Sequence, residues 1–277
     1  PDGEDGRDVY TQFRQQCEGV DVEALRRLQL REFALVRHPI SRAQWQAVVG
    51  GVGKVELDLK EAPGAAMLES LWDRHGQPGE IAIASVSWNN CQEWLRRLNR
   101  WLQEQWQLLG GRGEAPQLAL PSESQWEAAC RGALDRSGLQ ASPFHFGDTL
   151  DASWANHDAS VSPYTTGRLG RYLQRPSPVG AYGLVNSLGL GDLHGNVWEW
   201  CADFYHPSPC GGPHDGLPWM ELLDGIPLKE QRVLLRGGSW FNVPHICRSA
   251  FRVSDLPAYL SVIVGFRVCC LPPGLPS

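Results

Sequence analysis

The sequence has no apolar run near the roughly 18 residues that a membrane-crossing helix needs. It has only three lysines and two methionines among its 277 residues, and no Cys-x-x-Cys pair. The first absence leaves no candidate transmembrane helix. The scarcity of lysine, with 31 acidic against 25 basic side chains and a formal net charge of −6, argues against nucleic acid, because proteins that neutralise phosphates cluster Lys and Arg. The eight cysteines (17, 91, 130, 201, 210, 247, 269 and 270) lie at long, irregular intervals. That spacing supports neither a zinc site nor a disulfide framework, so buried free thiols are expected, with Cys201 and Cys210 the nearest pair for a single bridge. The chain opens Pro1-Asp2-Gly3, with no initiator Met and no charged-then-apolar leader. It reads as a segment of a longer protein, in which an N-terminal effector domain would precede it.

What is present describes a globular chain. Twelve Trp, eight Phe and six Tyr supply a core, and 30 Gly with 20 Pro imply short elements joined by many turns. An irregular α+β fold is expected. Residues 1–30, with Val20, Val22, Leu25 and Leu28, read as a lead-in or linker, 31–270 as the domain, and 271–277 as a tail. Phe33-Ala34-Leu35-Val36 reads as a buried strand, and Ser41 as the cap of a short helix carrying Trp45 and Val48-Val49. The clearest helix follows Ser87, where Trp88, Cys91, Leu95, Leu98, Leu102 and Trp106 recur every three or four residues. At Ser122, the Gln125 side chain can reach back as a capping box before Trp126, Ala129 and Cys130.

Two blocks carry more information. Gly189 to Trp200 contains Asp192, Gly195 and Glu199 between glycines and tryptophans, a set whose carboxylates and main-chain carbonyls could offer hard oxygen ligands to calcium. A structural hydrogen-bond role for the carboxylate between two Trp is the alternative. Leu235-Arg236-Gly237-Gly238-Ser239-Trp240 and Val264-Gly265-Phe266-Arg267-Val268 read as core strands of an antiparallel sheet, with a long exposed excursion between them.

Taken with Leu120-Pro121-Ser122-Glu123-Ser124-Gln125-Trp126-Glu127-Ala128-Ala129, these blocks occur in an order and spacing that resembles the formylglycine-generating enzyme or sulfatase-modifying-factor domain, a large variant of the C-type lectin fold. Pro39 to Trp45 and Val86-Ser87-Trp88 extend the resemblance over roughly residues 30 to 270. It implies a structural calcium held by the Asp192 and Glu199 side chains with the Gly195 and Val197 carbonyls. A second calcium site would begin near Asn156 and His157, but its other ligands find no counterpart across 164–175. The copper chemistry of the enzymes in this family uses two thiolates beyond the Gly-Gly-Ser motif. Here the first position is Asn242 and the second aligns loosely with Cys247, so no redox cofactor is expected. Nor do the eight histidines show the His-x-x-x-His-x-Glu arrangement of the iron-dependent sulfoxide synthases.

A third branch fits the tail: the variable proteins of diversity-generating retroelements. Their Gly-Gly-Ser-Trp, Arg-Ser-Ala-aromatic-Arg and Gly-Phe-Arg anchors are similar to Gly237-Gly238-Ser239-Trp240, Arg248-Ser249-Ala250-Phe251-Arg252 and Gly265-Phe266-Arg267. An Asn codon whose two adenines are randomised never encodes Lys, Glu, Gln, Met or Trp, and none of those five occurs between Phe241 and Val264. A buried strand-forming segment would also lack the polar three. On this reading, 237–267 is a variable region. Its ligand-binding side chains are Phe241, Asn242, Val243, His245, Ile246, Phe251, Val253, Ser254, Asp255, Leu256, Ala258, Tyr259, Leu260, Ser261, Val262 and Ile263. Aromatic and aliphatic groups spaced by small polar ones resemble a paratope. The expectation is therefore a non-catalytic protein whose C-terminal face binds a protein ligand. The alternatives are a metal-dependent oxidase or sulfoxide-synthase-like enzyme of the same fold, or a sensor domain of a larger signalling protein.

Overall fold

The computed structural model describes residues 33–51, 80–132, 142–161 and 163–271. The expected lead-in at 1–30 and nearly all of the expected tail lie outside the described residues.

Strand β1 (Ala34–Leu35) leads into α1 (Arg42–Gly51). The helix begins where the Ser41 hydroxyl accepts from the Gln44 N–H and the Gln44 side-chain carbonyl accepts from the Ser41 N–H. Its inner face buries Trp45 and Val48. Helix α2 (Trp88–Leu108) opens with the same reciprocal pair, made by Ser87 and Asn90. Its buried face is Cys91, Trp94, Leu95 and the Arg97 stem. Trp94, absent from the expected stripe, stacks on Trp45 at 6.0 Å and meets the Phe266 ring edge-on at 5.4 Å. Trp106, expected on the stripe, instead lies at the exposed end of the helix over Gly111. The apolar face of α2 ends with its tertiary partners, one turn or more before the helix does.

After β2 (Gln117–Ala119), α3 (Glu123–Arg131) starts at Ser122, with Gln125 closing the capping box as expected. The later strands are β3 (Trp198–Phe204), β4 (Val233–Arg236), β5 (Val253–Asp255), β6 (Val264–Gly265) and β7 (Cys269–Leu271). One sheet has the order β1-β7-β2 and is antiparallel; the other runs β5-β4-β3-β6. In the second sheet β3 pairs antiparallel with β4 but parallel with β6, so the two motif strands β4 and β6 run in opposite directions on either side of β3, in a sheet that is mixed where a wholly antiparallel one was expected. The chain between β4 and β6 is long enough to cross over, so β6 enters on the far side of β3 in the same direction. Residues 237–240, expected as strand, form a turn.

Strand β3 is buried on both faces, and its alternation divides the molecule. Trp198, Trp200 and Ala202 join Trp45, Trp94, Leu235, Val264 and Phe266 in the largest core cluster, while Cys201 faces Trp126, Ala129 and Leu234 in a second. Each fully buried large side chain contributes about 2 to 3 kcal/mol from burial alone. Cys201 is a free, buried thiol, so the Cys201–Cys210 pair that sequence proximity offered for a single bridge does not form one; Cys210 is disulfide-bonded, but not to Cys201. No described helix is long and apolar enough to cross a membrane.

Candidate functional site

The excursion between β4 and β6 is held by buried anchors. Gly237 and Gly238 have φ of 96° and 74°, and a Cβ on Gly238 would meet the Cys247 sulfur at 2.6 Å, so only glycine passes here. The turn delivers Ser239 and Trp240 into the interior. The Trp240 N–H donates to the Asn196 carbonyl (2.9 Å) and its indole N–H to the Val262 carbonyl (3.3 Å), tying the start of the excursion to its end. Midway, the Ser249 N–H and hydroxyl both donate to the Pro143 carbonyl, and Arg252 grips Glu123 with two bonds of 2.5 and 2.8 Å. The Arg248 Nε–H donates to the His245 carbonyl at 2.7 Å.

Between these anchors, none of the sixteen expected ligand-binding side chains is fully buried. Phe241 (58% exposed), His245, Leu256, Ala258 and Tyr259 are the open ones. The others are half-buried, and Ile246, Phe251, Val253 and Ile263 pack against the largest core, Val262 against Ile81, Ala82 and Val197. Asn242 is fixed by its neighbours: its side-chain oxygen accepts from the Ser239 hydroxyl at 2.7 Å and its carbonyl from the Asp158 N–H at 2.9 Å. Asp255 pairs with Arg232 and accepts from the Leu256 N–H, while the Ser254 and Ser261 carbonyls accept from Arg232 and the Ser85 N–H. Val243 and Leu260 complete the half-buried set.

The expected calcium ligands are brought together, but their carboxylates have other partners. Glu199, 1% exposed, accepts from Arg267 at both oxygens (2.6 and 2.7 Å) and from the Trp126 indole N–H at 2.6 Å. The same guanidinium donates to the Gly191 and Asp192 carbonyls. One Asp192 oxygen accepts from the Gly180 N–H and faces the His38 ring at 3.2 Å. A full positive charge already sits on Glu199, and a divalent ion sharing that carboxylate would meet it at close range. The residues present therefore do not fit a calcium ion held by both side chains. Gly195 and Val197 serve packing: a Cβ on Gly195 would collide with the Asn156 carbonyl oxygen, and Val197 is wholly buried.

The thiolate pair of copper chemistry fares no better. Asn242 offers an amide, and burial pushes the Cys247 thiol up to about 12, so it stays protonated at neutral pH. Beside it, His194 is enclosed with its Nδ1 2.8 Å from the Cys247 carbonyl, an arrangement that makes Nδ1 the donor and leaves Nε2 to accept from the His145 N–H. Burial lowers His194 to about 3 and His145 to about 4, so both rings are neutral. Among the described residues, neither nitrogen of the His145 side chain has a hydrogen-bond partner. Among the described residues no group of three or more His, Cys, Asp or Glu could hold a metal ion.

Sequence reasoning missed the flank of the excursion. Tyr172 lies 6.2 Å from Trp240, and Trp240 meets Phe241 edge-on at 5.7 Å, so the 163–175 segment borders the start of the excursion. Nothing in the spacing of Arg168, Arg171 and Arg175 points to Trp240, and only the fold brings the segment there.

The model of the Sulfatase-modifying factor enzyme 1-like domain matches residues 5–270. The chain is 26% identical to the mouse "Inactive C-alpha-formylglycine-generating enzyme 2", over all of this chain and 82% of that protein. It is 30% identical to the "Formylglycine-generating enzyme" of Streptomyces coelicolor over 70% of this chain and 54% of that one. With the "Hercynine oxygenase" of Mycolicibacterium smegmatis it shares 34% over 54% of this chain, about a third (32%) of that protein's length. Among solved structures, PvdO from Pseudomonas aeruginosa superposes with a TM-score of 0.61 at 24% identity, covering 87% of this chain and 80% of that one. Treponema denticola variable protein 1 gives 0.56 at 19%, covering 88% and 86%. These two establish a shared fold. The enzyme names among the relatives overturn the expectation of a chain without enzymatic activity: the family contains enzymes as well as a member named inactive, and belonging to it does not exclude catalysis. The chain belongs to the Sulfatase-modifying factor enzyme 1-like domain family.

Proposed function

We propose that the chain recognises a ligand, most simply a polypeptide, through the face formed by 241–263, and that this segment is diversified by a retroelement. The observation that carries the reading is the contrast along one stretch of chain. Ser239, Trp240, Cys247, Ser249 and Val264 to Cys269 are buried, whereas every side chain on which the reading depends keeps solvent contact. Buried anchors recurring every few residues let the open groups between them, Phe241, His245, Leu256, Ala258 and Tyr259, change with little effect on the frame. The absence of Lys, Glu, Gln, Met and Trp from 241–264 supports the same reading at the level of the codon. Comparing the gene among sibling isolates tests it. Differences concentrated at these sixteen positions, in codons ending as the template does, are expected, and differences spread evenly along the gene contradict diversification.

A second reading, an oxidase or oxygenase, is favoured by the 30% and 34% identity to relatives named as enzymes. Copper or iron retained by the purified protein and lost on Cys247→Ser would support it.

A further inference from the structure

The ligand face is continued by a border that carries two arginines with no carboxylate partner among the described residues. Residues 159–175 fold back beside the start of the excursion: the Gly170 N–H donates to the Ala159 carbonyl, the Asp158 N–H to the Asn242 carbonyl, and Tyr172 lies against Trp240. Val161 (67% exposed) and Leu169 (56%) are open in this segment, as Phe241 (58%) is at the start of the excursion. Within that border stand Arg171 and Arg175. Neither has a carboxylate partner among the described residues, and burial first, and then the Arg171 charge, lowers Arg175. Arg168 differs, because Asp151 holds it at 2.8 Å. Asp158, the acid that precedes the border in sequence, has its Oδ1 occupied by the Ser160 N–H and hydroxyl. Two uncompensated, mutually repelling guanidiniums are costly to keep on one small patch, and the cost falls when an anion sits between them. They stand in a chain whose formal charge is otherwise negative, −6 overall, so an anionic ligand is repelled elsewhere and attracted here.

We infer that Arg171 and Arg175, with Val161, Leu169, Tyr172 and Phe241, form a docking border for an acidic polypeptide segment that also carries apolar or aromatic side chains. The inference rests on the ligand-face reading and names the chemistry of the partner. The guanidiniums take carboxylates by paired N–H···O bonds, and the exposed apolar groups between them accept the partner's rings. A polyphosphate or sulfated polysaccharide would use the charges without the apolar contacts.

The test uses the full chain and a random Glu/Tyr copolymer as the probe, with a Lys/Tyr copolymer and heparin as comparisons, read by fluorescence anisotropy at two salt concentrations. Wild type is expected to bind the Glu/Tyr copolymer and not the Lys/Tyr one, more weakly as salt rises. The double variant Arg171→Gln/Arg175→Gln is expected to lose about tenfold or more in affinity with an unchanged melting temperature, and Phe241→Ser several-fold. Retained affinity in the double variant, no binding of the Glu/Tyr copolymer, or Glu/Tyr binding indifferent to Phe241→Ser would overturn the proposal. The melting temperature of Phe241→Ser separates this from failure of the wider reading. A folded variant without effect on binding sinks only the acidic border, whereas an unfolded one shows that Phe241 belongs to the frame.

Discussion

Arg267 and Glu199, 68 residues apart, form a fully buried pair in which one guanidinium spans both carboxylate oxygens and reaches the carbonyls of Gly191 and Asp192. Two of the most recognisable motifs of the chain, Gly-Asn-Val-Trp-Glu-Trp and Gly-Phe-Arg, are thus the two halves of one contact. Removing either partner strands a charge in the interior. Arg267→Leu is expected to lower unfolding free energy by about 3 to 5 kcal/mol, measured by urea denaturation. With the carboxylate already neutralised, chelator is expected to leave the wild-type melting temperature unchanged; a large drop on chelation, restored by calcium, would refute the assignment of Glu199 to Arg267 alone.

The buried histidines set an acid sensitivity. His194 and His145 have folded values of about 3 and about 4, below their ordinary range, so the unfolded chain binds protons that the folded chain does not. Stability therefore falls as pH drops from about 6.5 toward 4. His145→Phe removes two unpartnered buried nitrogens and keeps the contact with Phe146, whose ring is 3.8 Å away. It is expected to stabilise the protein by about 1 kcal/mol at pH 5 and to flatten part of the pH profile, both read from unfolding curves at pH 5 and pH 7.

Gly238 carries a cost of the opposite kind. With φ of 74° and the Cys247 sulfur 2.6 Å from its missing Cβ, Gly238→Ala meets both backbone strain and overpacking. A loss of at least about 2 kcal/mol is expected; Gly238→Ala/Cys247→Ala, which removes the sulfur, recovers part of it if the clash is the cause.

How much of this was legible in the sequence depends on how locally each feature is determined. The helix cap at Ser41 and the capping box at Ser122 were readable because the partners lie three residues apart. Motif order was enough for the fold class and the family. Features set by long-range packing were not readable. The parallel entry of β6 beside β3 depends on which side of the sheet the excursion returns, and the absence of Trp106 from the core depends on where α2 runs out of neighbours. Glu199 was seen as a lone carboxylate between two tryptophans, with no sign that Arg267 would neutralise it. The excursion was read as more exposed than it is: Ile246, Phe251, Val253 and Ile263 fold back onto the largest core, because a segment pinned at 248, 252 and 264 cannot hold all its apolar groups in water. The enzymatic standing of the relatives could not be excluded by the loss of one thiolate position, since a family can keep a fold and change its chemistry.

The most direct test of the central claim, a replaceable face on an independently stable frame, is the unfolding of a variant with Phe241, His245, Leu256, Ala258 and Tyr259 all changed to serine or asparagine. Each exposed change is expected to cost within about 0.5 kcal/mol, and a chain of this size shifts by about 2 to 4 °C per kcal/mol. The account predicts a single cooperative transition within about 10 °C of wild type. Loss of the cooperative transition would contradict it, because it would make those five side chains part of the fold itself.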